Sequence, residues 1–229
     1  MNLLASLFLA SAFALSPAQP WGMNFKTKDG WEIAALYHSS LKSKPMVILV
    51  HGVAAGKGEW QKLCAALWKM GYGTLAIDLR GHGESVMKGK TKSTFQDFDR
   101  TGEWPRAEED IHAAIRFLEG RGVAPSRIGL VGGSIGANLV SQAAAKEKIR
   151  WVILLSPGEN YRGVGIADLS GRKAVVAASP GDAYAHQTSV SLAMQPNGPV
   201  FLEAKQGHGA QLIDDPEFLA KLLDWIKKN

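Results

Sequence analysis

From residue 45 onward the chain alternates short unbroken apolar runs with segments in which apolar residues recur every three or four positions. The unbroken runs are MVILVHG (46–52), YGTLAIDL (72–79), RIGLVGG (127–133), WVILLSP (151–157), KAVVAASP (173–180) and PVFLEA (199–204). A strand with one face in water alternates apolar and polar residues, whereas a strand buried on both faces does not. These six runs therefore predict a mostly parallel sheet covered on both sides. Between them, residues 59–69 place Trp60, Leu63, Cys64, Leu67 and Trp68 on one helical face, which makes Cys64 a core residue. Residues 106–119 do the same with Ile111, Ala114, Ile115 and Leu118, behind an acidic first turn at Glu108, Glu109 and Asp110. Helical segments at 135–147 and 215–227 complete the set. This alternation predicts a wound α/β fold with right-handed crossovers and helices on both faces. Residues 24–38 predict an antiparallel hairpin at one edge, turning at Asp29-Gly30.

The first residues follow a different pattern. Residues 3–15, LLASLFLASAFAL, are an uncharged apolar run of 13, which fits a signal-peptide core and falls short of the roughly 18 residues of a membrane span. Ser16 and Ala18 suit cleavage after Ala18, so residues 1–18 read as a signal peptide and the mature chain as starting at Gln19. No Lys or Arg precedes the apolar core, and a start at Met23 would give a cytoplasmic product. If retained, the segment would be an anchor. The expectation is a secreted or periplasmic protein. From 24 to 229 there is no repeat, low-complexity tract or linker, so one domain is expected. The irregular stretches 84–105 and 158–172 suit binding loops, and neither is long enough for a separate cap domain.

Composition narrows the class. At 46% hydrophobic and 21% charged residues, with a mean hydropathy of -0.06, disorder and collagen are excluded. One cysteine permits no intramolecular disulfide and no cysteine zinc spacing. A net charge of +5 raises nucleic acid or an anionic membrane as partners. However, Lys and Arg are scattered along the chain, and the densest stretch, Lys88, Lys90 and Lys92, reads as a solvated loop. No nucleic-acid partner is expected, and no membrane span unless the leader is retained.

Gly132-Gly133-Ser134-Ile135-Gly136 matches G-x-S-x-G. The bare pattern is weak, but here it lies between an apolar strand and a helix, as a nucleophile elbow requires. A serine hydroxyl is a poor nucleophile at neutral pH, so it needs a base and a third group to orient that base. Three further stretches accompany it: His51-Gly52-Val53 closing the first long strand, Asp78-Leu79-Arg80-Gly81-His82-Gly83-Glu84-Ser85 after the next, and Gly207-His208-Gly209 after the last. With these, residues 25–227 resemble the α/β-hydrolase family. The resemblance implies an α/β-hydrolase fold without a cap and a chain order of serine, acid, histidine.

Six histidines compete for the base. His51 and His82 precede the serine in loop-shaping motifs, His38 belongs to the hairpin, His112 to a helix, and His186 to a helix just past Asp182. His208 remains, in a loop after the last strand. For the acid, Asp182 follows the strand 173–178 at its carboxyl end, with a helix cap as its alternative role. Asp168 precedes that strand, and Asp214 and Asp215 start the last helix. By resemblance, the oxyanion donors are the backbone N–H groups of Val53 and Ile135. Asp78, Arg80 and His82 read as an interior polar network. Trp60, Trp104 and Tyr161 read as core rather than pocket wall. Glu108, Glu109, Asp110 and His112 scatter around a helix, which excludes a metal site and predicts a solvated face.

The implied activity is hydrolysis of a small acyl ester through an acyl-enzyme, as in a carboxylesterase, with neither cofactor nor metal. Serine at the elbow excludes haloalkane dehalogenase chemistry, which uses aspartate there. Peptidase, thioesterase and acyltransferase activities share this machinery, and a non-catalytic binding protein on the same fold is the alternative from another class.

Overall fold

The computed structural model describes residues 19–41 and 43–229; the predicted signal peptide, 1–18, lies outside them. Strands β1 (Trp21–Lys26) and β2 (Trp31–His38) form the expected hairpin. They are followed by β3 (Met46–Val50), α1 (Gln61–Lys69) and β4 (Gly73–Ile77). A small hairpin, β5 (Met87–Lys88) and β6 (Thr91–Lys92), and a one-turn helix α2 (Phe98–Thr101) lead to α3 (Glu108–Glu119). Next come β7 (Ile128–Gly133), α4 (Ile135–Lys146), β8 (Trp151–Leu155) and a second small hairpin, β9 (Asn160–Tyr161) and β10 (Val164–Gly165). Strand β11 (Ala174–Ala178), α5 (Ala183–Ala193), β12 (Val200–Glu203) and α6 (Pro216–Lys228) close the chain.

The main sheet has ten strands in the order β12-β11-β8-β7-β3-β4-β2-β5-β6, with β1 on β2. From β12 to β4 every pairing is parallel; β2 joins β4 antiparallel. The unbroken apolar runs have the predicted cause in five of the six strands; β12, at the sheet edge, is the exception, with no fully buried residue. In β3, Ile48 and Val50 face the layer of α3 and α4, while Val47 and Leu49 face that of α1 and α6, and all four are fully buried. Trp60, Cys64 and Trp104 are core, as the helical spacing implied. Among the described residues no cap domain stands over the sheet.

Two expectations need correction. The Lys88 to Lys92 stretch is a hairpin, whose Lys88 pairs with Trp31 of β2. The acidic face of α3 is not simply solvated, because Asp110 is completely buried. It accepts two hydrogen bonds at 2.8 Å from the main-chain N and Nε of Arg80, itself fully buried. The same guanidinium reaches Glu103 at 2.7 Å and Asp29 at 2.8 Å and lies 5.5 Å from the Trp31 ring. Burial pushes the Asp110 carboxyl up to about 6 while Arg80 pulls it down. Burial also opposes the charge on Arg80, but Asp110 and Asp29 more than offset that and hold it ionised.

The loop leaving β4 is tied to the end of β3 by a histidine. His51 Nε2 accepts the Leu79 N–H at 2.9 Å, and its Nδ1 lies 2.6 Å from the Gly52 carbonyl. This geometry requires a neutral ring with its proton on Nδ1, since a second proton would face the Leu79 N–H. Burial accordingly lowers its pKa from 6.5 to about 4, helped by the neighbouring His82.

Two outcomes follow. Replacing Arg80 with Met leaves Asp110 a buried carboxylate without its cation, a loss of about 3–5 kcal/mol, which thermal denaturation will register as a midpoint lower by roughly 10 °C; an unchanged midpoint would refute the network's role. Because His51 is neutral when folded, its contribution is present above pH 6.5 and is lost as pH falls towards 4. Urea titrations across this window should therefore lose about 3 kcal/mol, and His51→Gln should flatten that part of the profile.

Candidate active site

Strand β7 ends in two glycines and α4 begins directly after Ser134. No longer connection intervenes, so the chain reverses at one residue. Ser134 adopts φ 55° and ψ -127°, a conformation that costs a residue with a Cβ roughly 1–3 kcal/mol. The turn closes only because its neighbours lack side chains. A Cβ on Gly132 would lie 2.2 Å from the Gly136 carbonyl oxygen, and one on Gly136 would lie 2.4 Å from that of Val50. This packing brings the end of β3 against the turn, so that a Cβ on Gly52 would stand 3.0 Å from that of Ser134.

The Ser134 side chain does not cap α4, and among the described residues its hydroxyl makes no hydrogen bond. Val53 lies one residue past Gly52, and Ile135 opens the helix. Among the described residues neither backbone N–H has an acceptor. The Ile135 N–H also sits at a helix N-terminus, where the dipole favours negative charge.

His208 comes from the loop after β12 and Asp182 from the end of β11. They meet with His208 Nδ1 2.6 Å from Asp182 Oδ2. Asp182 occupies the N-cap position of α5, yet its carboxylate makes no capping bond and is directed to the imidazole instead. The His208 loop packs on the serine turn: a Cβ on Gly133 would lie 3.2 Å from the Ala210 nitrogen. His208 is 44% exposed at its side chain, so this corner is open to solvent.

The other histidines lie elsewhere. His82 stacks on Phe95 at 4.3 Å and bonds the Arg80 carbonyl through Nδ1, with burial lowering its pKa. His112 bridges Glu108 and Glu147, and His186 pairs with Glu203 on the surface. Asp215 caps α6, and Asp168 bonds Ser170 in the loop before β11. Asp78 accepts N–H groups of Lys57 and Glu84 and pairs with Lys57 Nζ at 2.6 Å, which fastens the loop that follows Val53. Among the described residues no cluster of His, Cys, Asp and Glu could hold a metal ion.

Sequence reasoning missed the fastenings of the histidine loop. Ser156 Oγ accepts the Gly209 N–H at 2.9 Å, and Ser179 Oγ donates to the Gly207 carbonyl at 2.7 Å. Gly207 and Gly209 both have positive φ, 102° and 58°, so His208 is presented from a turn that favours glycine on either side and is clamped by one serine at each. A signal existed: β8 and β11 are both followed by Ser-Pro, at 156–157 and 179–180. Tyr161 was read as core. It is half-buried on the β9-β10 hairpin with its ring edge-on to His208, 6.4 Å between centroids. Burial and the Asp182 charge push its phenol pKa up. Asn138, fully buried on α4, holds this hairpin by donating to the carbonyls of Gly158 and Val164, each at 2.7 Å.

Among curated proteins, the chain is 26% identical over 142 residues to the uncharacterized protein Rv2307c of Mycobacterium tuberculosis. The match covers 61% of this chain and 46% of that protein, so the chain spans about half the length of its relative. Several solved structures share the fold. A complex of DcsB with its substrate analogue aligns with a TM-score of 0.74 at 13% identity, covering 92% of this chain and 99% of the other. The esterase EaEST from Exiguobacterium antarcticum gives 0.69 at 14%, covering 90% and 100%. XC6422 from Xanthomonas campestris, described as an a/b serine hydrolase without lid, gives 0.65 at 15%, covering 92% and 97%. The model of the alpha/beta hydrolase family matches residues 47–226, which contain the serine turn and both partners of the Asp182–His208 bond, and the chain belongs to that family.

Proposed function

We propose that this chain is a serine hydrolase that cleaves small carboxylic esters through an acyl-enzyme. The observation that carries the reading is the 2.6 Å bond between His208 and Asp182, formed beside a serine that a strained turn presents free of other hydrogen bonds. In this scheme Ser134 Oγ attacks the ester carbonyl carbon while its proton passes to His208 Nε2. Asp182, accepting from Nδ1–H, keeps the imidazole in the required tautomer and stabilises the imidazolium. The tetrahedral oxyanion takes the unpaired N–H groups of Val53 and Ile135, each worth about 3 kcal/mol at the transition state. The intermediate collapses as His208 returns the proton to the alcohol oxygen, which departs. Water then adds to the acyl carbon with its proton going to His208, and Ser134 is released with the acid product.

The exposure of His208 and the lack of a cap favour short acyl groups over long lipid chains. Esterase structures among the neighbours are consistent with this reading. Peptidase, thioesterase or acyltransferase action would use the same residues.

A series of p-nitrophenyl esters will test it. Turnover should be fastest with short acyl chains, and Ser134→Ala should lower kcat by roughly 10⁴-fold or more without unfolding the protein. Asp182→Asn should cost about 10³–10⁴-fold. Turnover that survives Ser134→Ala would exclude this mechanism.

A further inference from the structure

The cations that look scattered in the sequence are gathered by the topology. Every parallel strand begins at the pole opposite Ser134, and the loops entering β3, β4, β7, β8 and β11, with the end of α6, all lie there. Among the described residues, segments 39–45, 69–72, 119–127, 147–150, 168–173 and 227–229 of this pole hold ten Lys and Arg against three acidic residues. The whole chain carries only +5, so this pole holds more positive charge than the entire molecule sums to. Lys69, Arg121, Lys148, Arg150, Lys173 and Lys227 are all exposed, and none forms an ion pair among the described residues. By contrast Lys57, at the opposite pole, is engaged by Asp78 and Glu84.

The same pole carries exposed apolar side chains at its two flanks. Leu41, in the loop entering β3, is 67% exposed, and Trp21, opposite Tyr37 at the end of β2, is 50% exposed. At the other flank Met194, ending α5, is 81% exposed and Val200, starting β12, is 48% exposed. Among the described residues, four of the five exposed large apolar side chains thus flank the basic loops, across about 30 Å of sheet at roughly 4.8 Å per strand.

We infer that the pole formed by the loops entering β3, β4, β7, β8 and β11 is a docking face for an anionic lipid bilayer. Unpaired ammonium and guanidinium groups supply long-range attraction to acidic headgroups, and rim residues such as Trp21 and Leu41 enter the interfacial layer. No helix among the described residues is long and apolar enough to cross a membrane, so the contact is peripheral. Duplex nucleic acid would also meet the positive charge but would leave the apolar flanks unused.

Flotation of the full chain with vesicles tests the face, because every variant carries the same leader. Binding to phosphatidylcholine vesicles containing about 30 mol % phosphatidylglycerol should exceed binding to phosphatidylcholine alone by roughly tenfold and should fall in high salt. Lys148→Glu/Arg150→Glu/Lys173→Glu should remove most of that excess. Lys90→Glu/Lys92→Glu/Arg100→Glu, which makes the same charge change elsewhere, should retain it. Circular dichroism should show both variants folded. Equal binding by wild type and the first variant, equal loss in both variants, or no preference for anionic vesicles would overturn the proposal. So would a duplex of about 20 base pairs that displaces the protein from vesicles at stoichiometric amounts.

Discussion

Everything at the site depends on how closely two pieces of backbone can approach. Strand β3 ends against the turn between β7 and α4, and the gap is too narrow for a methyl group on Gly132 or Gly136. That contact sets Gly52 against Ser134, with Val53 one residue beyond it. The strain at Ser134, of order 1–3 kcal/mol, is sustained because the turn lies between the fully buried β7 and the buried first two turns of α4. A looser junction would let the serine relax and its hydroxyl fold back onto the helix N-terminus, where serine is ordinarily a favoured cap.

A second set of constraints is ionic. Arg80 in the interior gathers carboxylates from three distant places: Asp29 in the turn of the first hairpin, Glu103 in the long loop and Asp110 in α3. Such a cluster is a poor source of net stability, because desolvation offsets most of the attraction. Its geometry is exacting, however, and it locks the loop leaving β4 onto the helix layer. The adjacent Asp78 then holds Lys57, on the loop that carries Val53. The loop that carries Val53 is thus positioned through charged groups as well as through apolar packing.

The sheet was legible in the sequence because burial on both faces leaves a mark that needs no partner to interpret. Six continuous apolar runs gave six strands, with ends displaced by one or two residues, although the last, β12, lies at the sheet edge and is only partly buried. The two small hairpins were not legible: two-residue strands have no periodicity, and β9-β10 is held by Asn138 and Gln142 of α4 as well as by its own Asn160. Asp110 was misplaced for a related reason. An acidic first turn reads as a solvated helix start, and only the position of Arg80, 30 residues earlier, reveals that it is buried. In the site, Asp182 and His208 meet in a hydrogen bond and the loop that carries His208 packs on the turn that carries Ser134, each of the three residues following a strand end. Their supports Ser156 and Ser179 passed unnoticed because a serine after a strand has many uses.

One topological cause accounts for both poles of the molecule. In a wound parallel sheet every strand points the same way, so α1, α3, α4, α5 and α6 all run back antiparallel to β3, β4, β7, β8, β11 and β12. Their N-termini therefore collect where Ser134 sits, and their C-termini collect at the opposite end. The first pole offers unpaired N–H groups and the positive ends of dipoles, which suits a transient oxyanion. The second offers unpaired carbonyls and negative dipole ends, beside which Lys and Arg are stabilised. Cations such as Lys69 and Lys227 thus have a structural reason to lie there. The same does not hold for Lys148, Arg150 and Lys173, which lie beyond the helix ends, nor for the exposed Leu41 and Met194, which gain nothing from a dipole. The charge that the fold invites at this pole is smaller than the charge it carries, and the surplus, together with the apolar flanks, is what a bilayer surface would read.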